Sequence, residues 1–312
     1  LDISVVITTY NQSFETIRHS IVSALLQRDV VFELIIADDN SRCDYSDEYQ
    51  RLFREHGFSD YTLIRNKTNL KTVRNLANAL GQARAPYVKT IDAGDILHDA
   101  HTLRDILAFC RDKDTSVGFG DIVRFRQIEN GSYVQSDYRA PQHPELLVFP
   151  AASDDTAAAK ALKAQMESAD WIPAPAQFYK TDIYRSLLIE LSEDYGVDYC
   201  QDFTTVLALG RYPIFHYEKP IYWYEWGTGI STSGSADSRK RLYSDHMHLY
   251  QEMARRRPFG TNLSRALLGF KVRDMVARSP FYKPALKLLN RYDAPELPLC
   301  DDFFLQCVAH ER

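Results

Sequence analysis

Three short polar runs in the first hundred residues carry side chains able to grip a small ligand: Thr8-Thr9-Tyr10-Asn11, Asp38-Asp39-Asn40 and Asp92-Ala93-Gly94-Asp95. Each directly follows a β-rich apolar run. No GxGxxG follows the first of these runs, and neither GxxxxGK[ST] nor GxSxG occurs in the chain. The glycine cradles of dinucleotide and P-loop folds, and the hydrolase nucleophile elbow, therefore lose their usual signatures. A nucleotide bound here would be held by side chains and carboxylates.

The elements that must position these runs alternate. Ile3 to Thr9 reads as a buried strand, followed by a helix carrying Ile17, Ile21, Ala24 and Leu25 at three-and-four spacing. Phe32 to Ala37 and Tyr61 to Ile64 are further strands, Val73 to Ala83 a helix and Tyr87 to Ile91 a fourth strand. Strand-helix alternation implies right-handed crossovers and a parallel sheet. Ligands of such sheets bind at the carboxyl ends of the strands, so the three polar runs are expected to meet in one crevice. Beyond Asp95 the pattern predicts a helix over 103–110, strands over 117–127 and 132–135, and a helix over 157–166. A further helix is expected to start near Asp202, and amphipathic helix runs from 239 to 291, broken at Pro258 and Pro280.

At 312 residues, 45% hydrophobic and 25% charged, the chain suits one large domain with an appendage. Its net charge of -5 gives no reason to expect nucleic-acid binding. Five scattered cysteines without a CxxC pair fit a reducing, cytoplasmic setting better than a disulfide framework. No apolar run approaches the ~20 residues of a membrane span. The start at Leu1 rather than Met suggests a piece of a larger parent chain. Between Ser235 and Arg291 thirteen Lys/Arg stand against four Asp/Glu, which marks a boundary between residues 1–235 and a basic helical extension over 236–312.

Ser4-Val-Val-Ile-Thr-Thr-Tyr-Asn11, Glu33 to Ser41 and Asp92-Ala-Gly-Asp95, in that order and spacing, resemble the family 2 inverting glycosyltransferases over roughly residues 2 to 235. The resemblance implies an α/β, GT-A (Rossmann-like) mostly parallel sheet flanked by helices, with residues 1–235 as the catalytic domain. It implies sugar transfer from a nucleoside diphosphate sugar, UDP in the first place, to a glycan or lipid-linked acceptor of the capsule or O-antigen kind. By the same resemblance Thr8 and Tyr10 line the base pocket, Asp39 accepts a hydrogen bond from the base, and Lys71 and Arg74 are candidates for the diphosphate. Asp92 and Asp95 are candidates for a divalent cation, Mn or Mg, which takes hard oxygen ligands. Gly94 stands where the family usually has the middle carboxylate. Asp92 is alternatively a ribose ligand, and Asp39 an Asx-turn residue.

Tyr199-Cys-Gln-Asp202 resembles the family's acidic motif, with Gln201 in place of the usual Glu and Asp202 in the position of the catalytic base. The alternative for Asp202 is a helix N-cap. Trp171 suits a sugar face or a core position. Residues 224–233 match a loop that closes over the diphosphate, here without its frequent His. The basic stretches Arg239-Lys-Arg241 and Arg255-Arg-Arg257 are solvated helix faces or a contact with an anionic membrane surface, which would make the protein peripheral at the inner face of the membrane. Packing of the interleaved apolar residues against the catalytic domain, or against a partner subunit as in a homo-oligomer, is a further use. Two rivals differ in class. Sugar-1-phosphate nucleotidyl transfer needs a glycine-rich basic loop that Thr9 to Ser13 is not. A degenerate glycan-binding or assembly module is motivated by Gly94 and Gln201.

Overall fold

The computed structural model describes residues 1–150, 154–227, 235–279 and 295–309. Its centre is a ten-stranded mixed sheet. Strands β1 (Ile3–Thr9), β2 (Phe32–Asp38), β3 (Tyr61–Arg65) and β4 (Tyr87–Asp92) run parallel in the order β3-β2-β1-β4. Their near-continuous aliphatic runs reflect cover on both faces: Ile3, Val5, Val6, Ile7, Leu34, Ile35 and Ile36 are all essentially inaccessible. Helices α1 (Phe14–Leu25), α2 (Ser46–Glu55) and α3 (Lys71–Leu80) supply the crossovers. The Ser13 side chain caps α1 by accepting the Thr16 N–H.

Beyond β4 the sheet changes sense. After β5 (Ile96–Leu97) and α4 (Thr102–Lys113) come β6 (Val117–Gln127) and β7 (Tyr133–Ala140), then α5 (Asp155–Ser168) and β8 (Gln177–Lys180). Strand β8 lies between β4 and β6, antiparallel to both. After α6 (Thr181–Glu193) and α7 (Thr204–Ala208), the long strand β9 (Ile214–Glu225) pairs parallel with β6 and antiparallel with β5. The parallel order expected from the alternation holds over β1 to β4, where crossover helices exist, and gives way beyond them to mostly antiparallel pairing, with β6 and β9 still parallel.

Helices α8 (Ala236–Arg256) and α9 (Ser264–Ala277) are separated by a turn at Pro258, as the sequence predicts. Leu249, Tyr250 and Met253 of α8 are buried in the main core. Strand β10 (Glu296–Pro298) pairs with β7, and α10 (Asp302–Val308) sets Phe304 against Phe125 and Trp223. The helical reading of 280–291 lies outside the described residues. None of the described helices is long and apolar enough to cross a membrane.

Candidate active site

Sheet register brings the three polar runs to one level. Thr9 pairs with Asp38 across β1 and β2, and Thr8 pairs with Asp92 across β1 and β4. Their ends open into a cleft of about 370 Å³ whose lining includes Thr8, Tyr10, Asp39, Lys71, Asp92, Asp95 and Asp202. Seven of the eight residues singled out in the sequence thus share one cavity. Arg74 does not join them. Its Nε donates to Ser192 Oγ at 2.6 Å, which draws the guanidinium to α6.

One part of the cleft is built around Asp39, which is only 4% exposed. Its Oδ1 accepts from Asn66 Nδ2 at 2.9 Å and from the Leu70 N–H at 2.7 Å, and its Oδ2 accepts from the Lys71 N–H at 2.8 Å. Lys71 adopts a left-handed backbone (φ 68°), an uncommon conformation for a residue with a side chain, at the turn where two successive N–H groups meet one carboxylate. Asp39 thereby fixes the loop entering α3, with acceptor capacity left on Oδ2. The Lys71 ammonium pairs with Asp198 at 2.5 Å. Tyr10 stands 44% exposed at the rim, its ring available to stack.

The same cleft is lined by Asp202. A 3-10 turn over Gln201–Phe203 precedes α7, so Asp202 sits just before the helix. Its Oδ1 accepts the Ala174 N–H. Burial, reinforced by the charge of Asp92 and opposed by the Ala174 bond, pushes its carboxyl up to about 6. Beside it, Gln201 Oε1 is a buried acceptor with no hydrogen-bond partner among the described residues. Trp171 takes the core position, edge-on to Phe203 with ring centroids 5.1 Å apart.

The Asp92–Asp95 turn also lines the cleft. Thr8 Oγ1 donates to Asp92 Oδ1 at 2.6 Å. Ser20 of α1 clamps the turn, accepting the Gly94 N–H at 3.0 Å and donating to the Asp95 carbonyl at 2.7 Å. Asp95 is 4% exposed, and its Oδ1 accepts the Glu225 N–H at 2.8 Å. Burial raises the Asp92 and Asp95 carboxyls, Asp95 strongly; Thr8 and the ammonium of Lys89 oppose the rise at Asp92.

Lys89 is a fully buried cation beneath this turn. Its Nζ donates to the Thr90 and Pro175 carbonyls at 2.9 and 2.7 Å and lies 4.6 Å from the Tyr222 ring centre. Burial pulls it down to about 7, with Asp92 and Asp95 acting against the fall. An unpaired buried ammonium would be expensive. Here it ties β4 to the 173–176 turn that contacts Asp202.

Residues that sequence reasoning did not assign to the cleft complete it. Arg241 and Leu242 of α8 line it. The guanidinium of Arg241 lies 5.2 Å from the Tyr199 ring centre, and Lys71 Nζ approaches the same ring at 5.9 Å. Asp245, buried one turn further on, accepts the N–H groups of Asp198, Tyr199 and Cys200 at 3.2, 2.6 and 2.9 Å. The basic excess of α8 was the available signal, but it could not reveal which face meets the cleft. Glu225, at the end of β9, reaches the cleft because β9 pairs with β5. Of the loop expected over the diphosphate, residues 228–234 lie outside the described residues.

Fit to a divalent cation rests on the donor set. Among the described residues no three His, Cys, Asp or Glu side chains form a cage of their own. A Mg²⁺ or Mn²⁺ ion shared with phosphate needs only one or two carboxylates. Asp92 and Glu225 present hard oxygens to the cleft, and a Cβ built on Gly94 would fall 2.5 Å from Glu225 Oε2. The space left by the missing side chain therefore holds a carboxylate, and the site fits such an ion.

A parallel β3-β2-β1-β4 core with carboxylates at its strand ends, continued by antiparallel strands, is the GT-A architecture. The family described as Glycosyl transferase family 2 matches residues 4–169, more than half of the chain, and the chain belongs to that family. No curated protein matches the chain in sequence. Similar solved structures include S. aureus TarS 1-349 in complex with UDP-GlcNAc, at TM-score 0.53 and 18% identity over 81% of this chain and 67% of that one. Another S. aureus TarS structure aligns at TM-score 0.52 and 18% identity over 81% of this chain, which spans only 40% of that one. The mannosyltransferase PcManGT from Pyrobaculum calidifontis, in complex with GDP-Man and Mn²⁺, aligns at TM-score 0.52 and 17% identity over 92% of this chain and 79% of that one.

Proposed function

We propose that the chain transfers a sugar from a nucleoside diphosphate sugar, with UDP the leading candidate, to a hydroxyl of a glycan or lipid-linked acceptor, inverting the anomeric centre. The observation that carries this reading is that Asp202, a half-buried carboxylate at the start of a helix, lines the same cleft as Asp39 and Asp92. The acceptor oxygen attacks the anomeric carbon and the bond from that carbon to the diphosphate oxygen breaks, its electron pair leaving with the diphosphate. The acceptor proton passes to the Asp202 carboxylate. One group on the face opposite the leaving group suffices for a single displacement. Gln201 Oε1, which has no hydrogen-bond partner among the described residues, suits a sugar hydroxyl donor.

Thr8, Tyr10 and Asp39 are proposed for the nucleoside, with the diphosphate toward Lys71 and Arg241. Fixed positive groups stabilise the departing charge without reorganising. Asp92, with Asp95 behind it, is proposed to hold Mn²⁺ or Mg²⁺, which when bound would neutralise diphosphate charge. Association with a membrane surface is supported by α9, where Leu268, Val272, Met275 and Val276 are exposed close to the exposed Arg265, Lys271 and Arg278. This supports a cytoplasmic protein peripheral at the inner membrane face. The reading is tested with a panel of nucleotide sugars, each assayed for nucleotide release with and without chelator. Turnover of at least one donor is expected, and absence of any nucleotide binding would favour a degenerate glycan-binding module.

A further inference from the structure

The Asp92–Asp95 turn departs from the family pattern at one position, and the structure puts a specific group there. Gly94 has φ 108°, a backbone conformation that side chains disfavour. A Cβ at this position would also meet Thr16 Cγ2 at 3.1 Å, besides the closer contact with Glu225 Oε2. Residue 94 therefore cannot carry a carboxylate without displacing Glu225, and Glu225 reaches this spot only because residue 94 is glycine. The two positions behave as a unit although 131 residues of sequence separate them.

We propose that Glu225 supplies the carboxylate that residue 94 lacks, as a ligand, together with Asp92, for a divalent cation on the diphosphate of the donor. The inference rests on the nucleotide-sugar reading above. The backbone of Glu225 is already fixed by its N–H bond to Asp95 and by the pairing of Ile96 with Trp223 two residues before it, so β9 does not need the side chain to find its register. Glu225 lines the same cleft as Asp92, Asp95 and Ala93. Carboxylates brought together in a partly dry cleft repel one another, and a cation shared with phosphate oxygens relieves that repulsion. Oxygen donors of this kind select Mg²⁺ or Mn²⁺ over softer metals.

The test is a titration of MnCl₂ into the protein with UDP present, free Mn²⁺ being read by its electron paramagnetic resonance signal. UDP binding in EDTA and thermal melting are followed alongside. Glu225→Gln keeps size and backbone and removes the charge; Glu225→Ala is the second variant should the amide disturb folding. Both are expected to weaken Mn²⁺ binding at least about tenfold while UDP binding in EDTA and the melt stay unchanged. Unchanged Mn²⁺ affinity in both variants, with loss in Asp92→Asn, would overturn the role of Glu225 and leave the nucleotide-sugar reading intact. Failure of the parent protein to bind UDP with or without Mn²⁺ would overturn both.

Discussion

The carboxylate of Asp245 accepts the Tyr199 N–H at 2.6 Å, joining the interior face of α8 to the segment that leads into Asp202. The neighbouring N–H groups of Asp198 and Cys200 share the same acceptor. Charge-assisted bonds to a buried carboxylate are among the stronger polar contacts in a protein. Asp245→Asn substitutes an amide that offers one acceptor oxygen to three donors. Loss of about 2 kcal/mol of stability is expected, together with a fall in kcat larger than any rise in KM. Denaturant melts and steady-state kinetics would check both; an unchanged kcat would remove Asp245 from the positioning of Asp202.

Asp202→Asn retains an acceptor for the Ala174 N–H and deletes the base. Transfer is expected to drop by about 10²- to 10⁴-fold, with nucleotide affinity unchanged. Because burial disfavours the ionised carboxyl, the amide variant should melt no lower than the parent at pH 7.5. Near-normal turnover by the variant would refute the assignment of the base.

The raised Asp202 carboxyl also fixes a pH profile. The base acts only when ionised, so kcat/KM is expected to be flat above about 6 and to fall about tenfold per unit below it. The stability contribution of this group has the opposite sense. Its native carboxyl holds a proton more tightly than the unfolded chain does, so that contribution is full below the ordinary carboxylate value and is lost as pH rises through about 6. A profile whose acid limb lay near 4 would point to a solvated carboxylate instead.

Lys71→Ala separates binding from folding. The Lys71–Asp198 pair is partly exposed, and such pairs contribute well under about 1 kcal/mol. The melting temperature should therefore hold while UDP affinity falls several-fold. Calorimetric titration of UDP reads the first effect and a thermal scan the second.

Helix α9 gives the membrane reading a direct assay. Leu268 and Met275 lie two helical turns apart on one face. Replacing both with Asp should abolish co-sedimentation with vesicles containing anionic lipid and leave nucleotide release from a soluble donor unchanged. Equal sedimentation of parent and double variant would discard α9 as the contact.

Much of the nucleotide half was legible because buried parallel strands leave long aliphatic runs, and their polar ends fall at one level when the register is in phase. Thr8, Asp39 and Asp92 needed only that geometry. Arg74 was misdirected by one detail of phase. Three-residue spacing on a regular helix would put Lys71 and Arg74 on one face, but Lys71 has a left-handed backbone and so stands outside the regular turn, and the Arg74 guanidinium is drawn to Ser192 of α6. Glu225, Arg241 and Asp245 were hidden for another reason. Their partners at Asp95 and Tyr199 lie 130 and 46 or fewer residues away, and only the β5–β9 pairing and the docking of α8 bring them near. Lys89 sat unnoticed within a strand, since a lone lysine in an apolar run gives no sign of whether it points to water or to carbonyls.

The attachment of α8 bears on how the protein can be divided. A fragment ending at residue 235 would keep every β1-to-β4 carboxylate and Asp202, the proposed base, and by composition it would look whole. It would nevertheless expose the seam where Leu249, Tyr250 and Met253 sit and leave three amides beside the base without their acceptor. Shortened versions made for crystallisation or chimera building should therefore carry the long helix with them, since the 198–200 segment, whose Tyr199 and Cys200 line the cleft, is anchored to it.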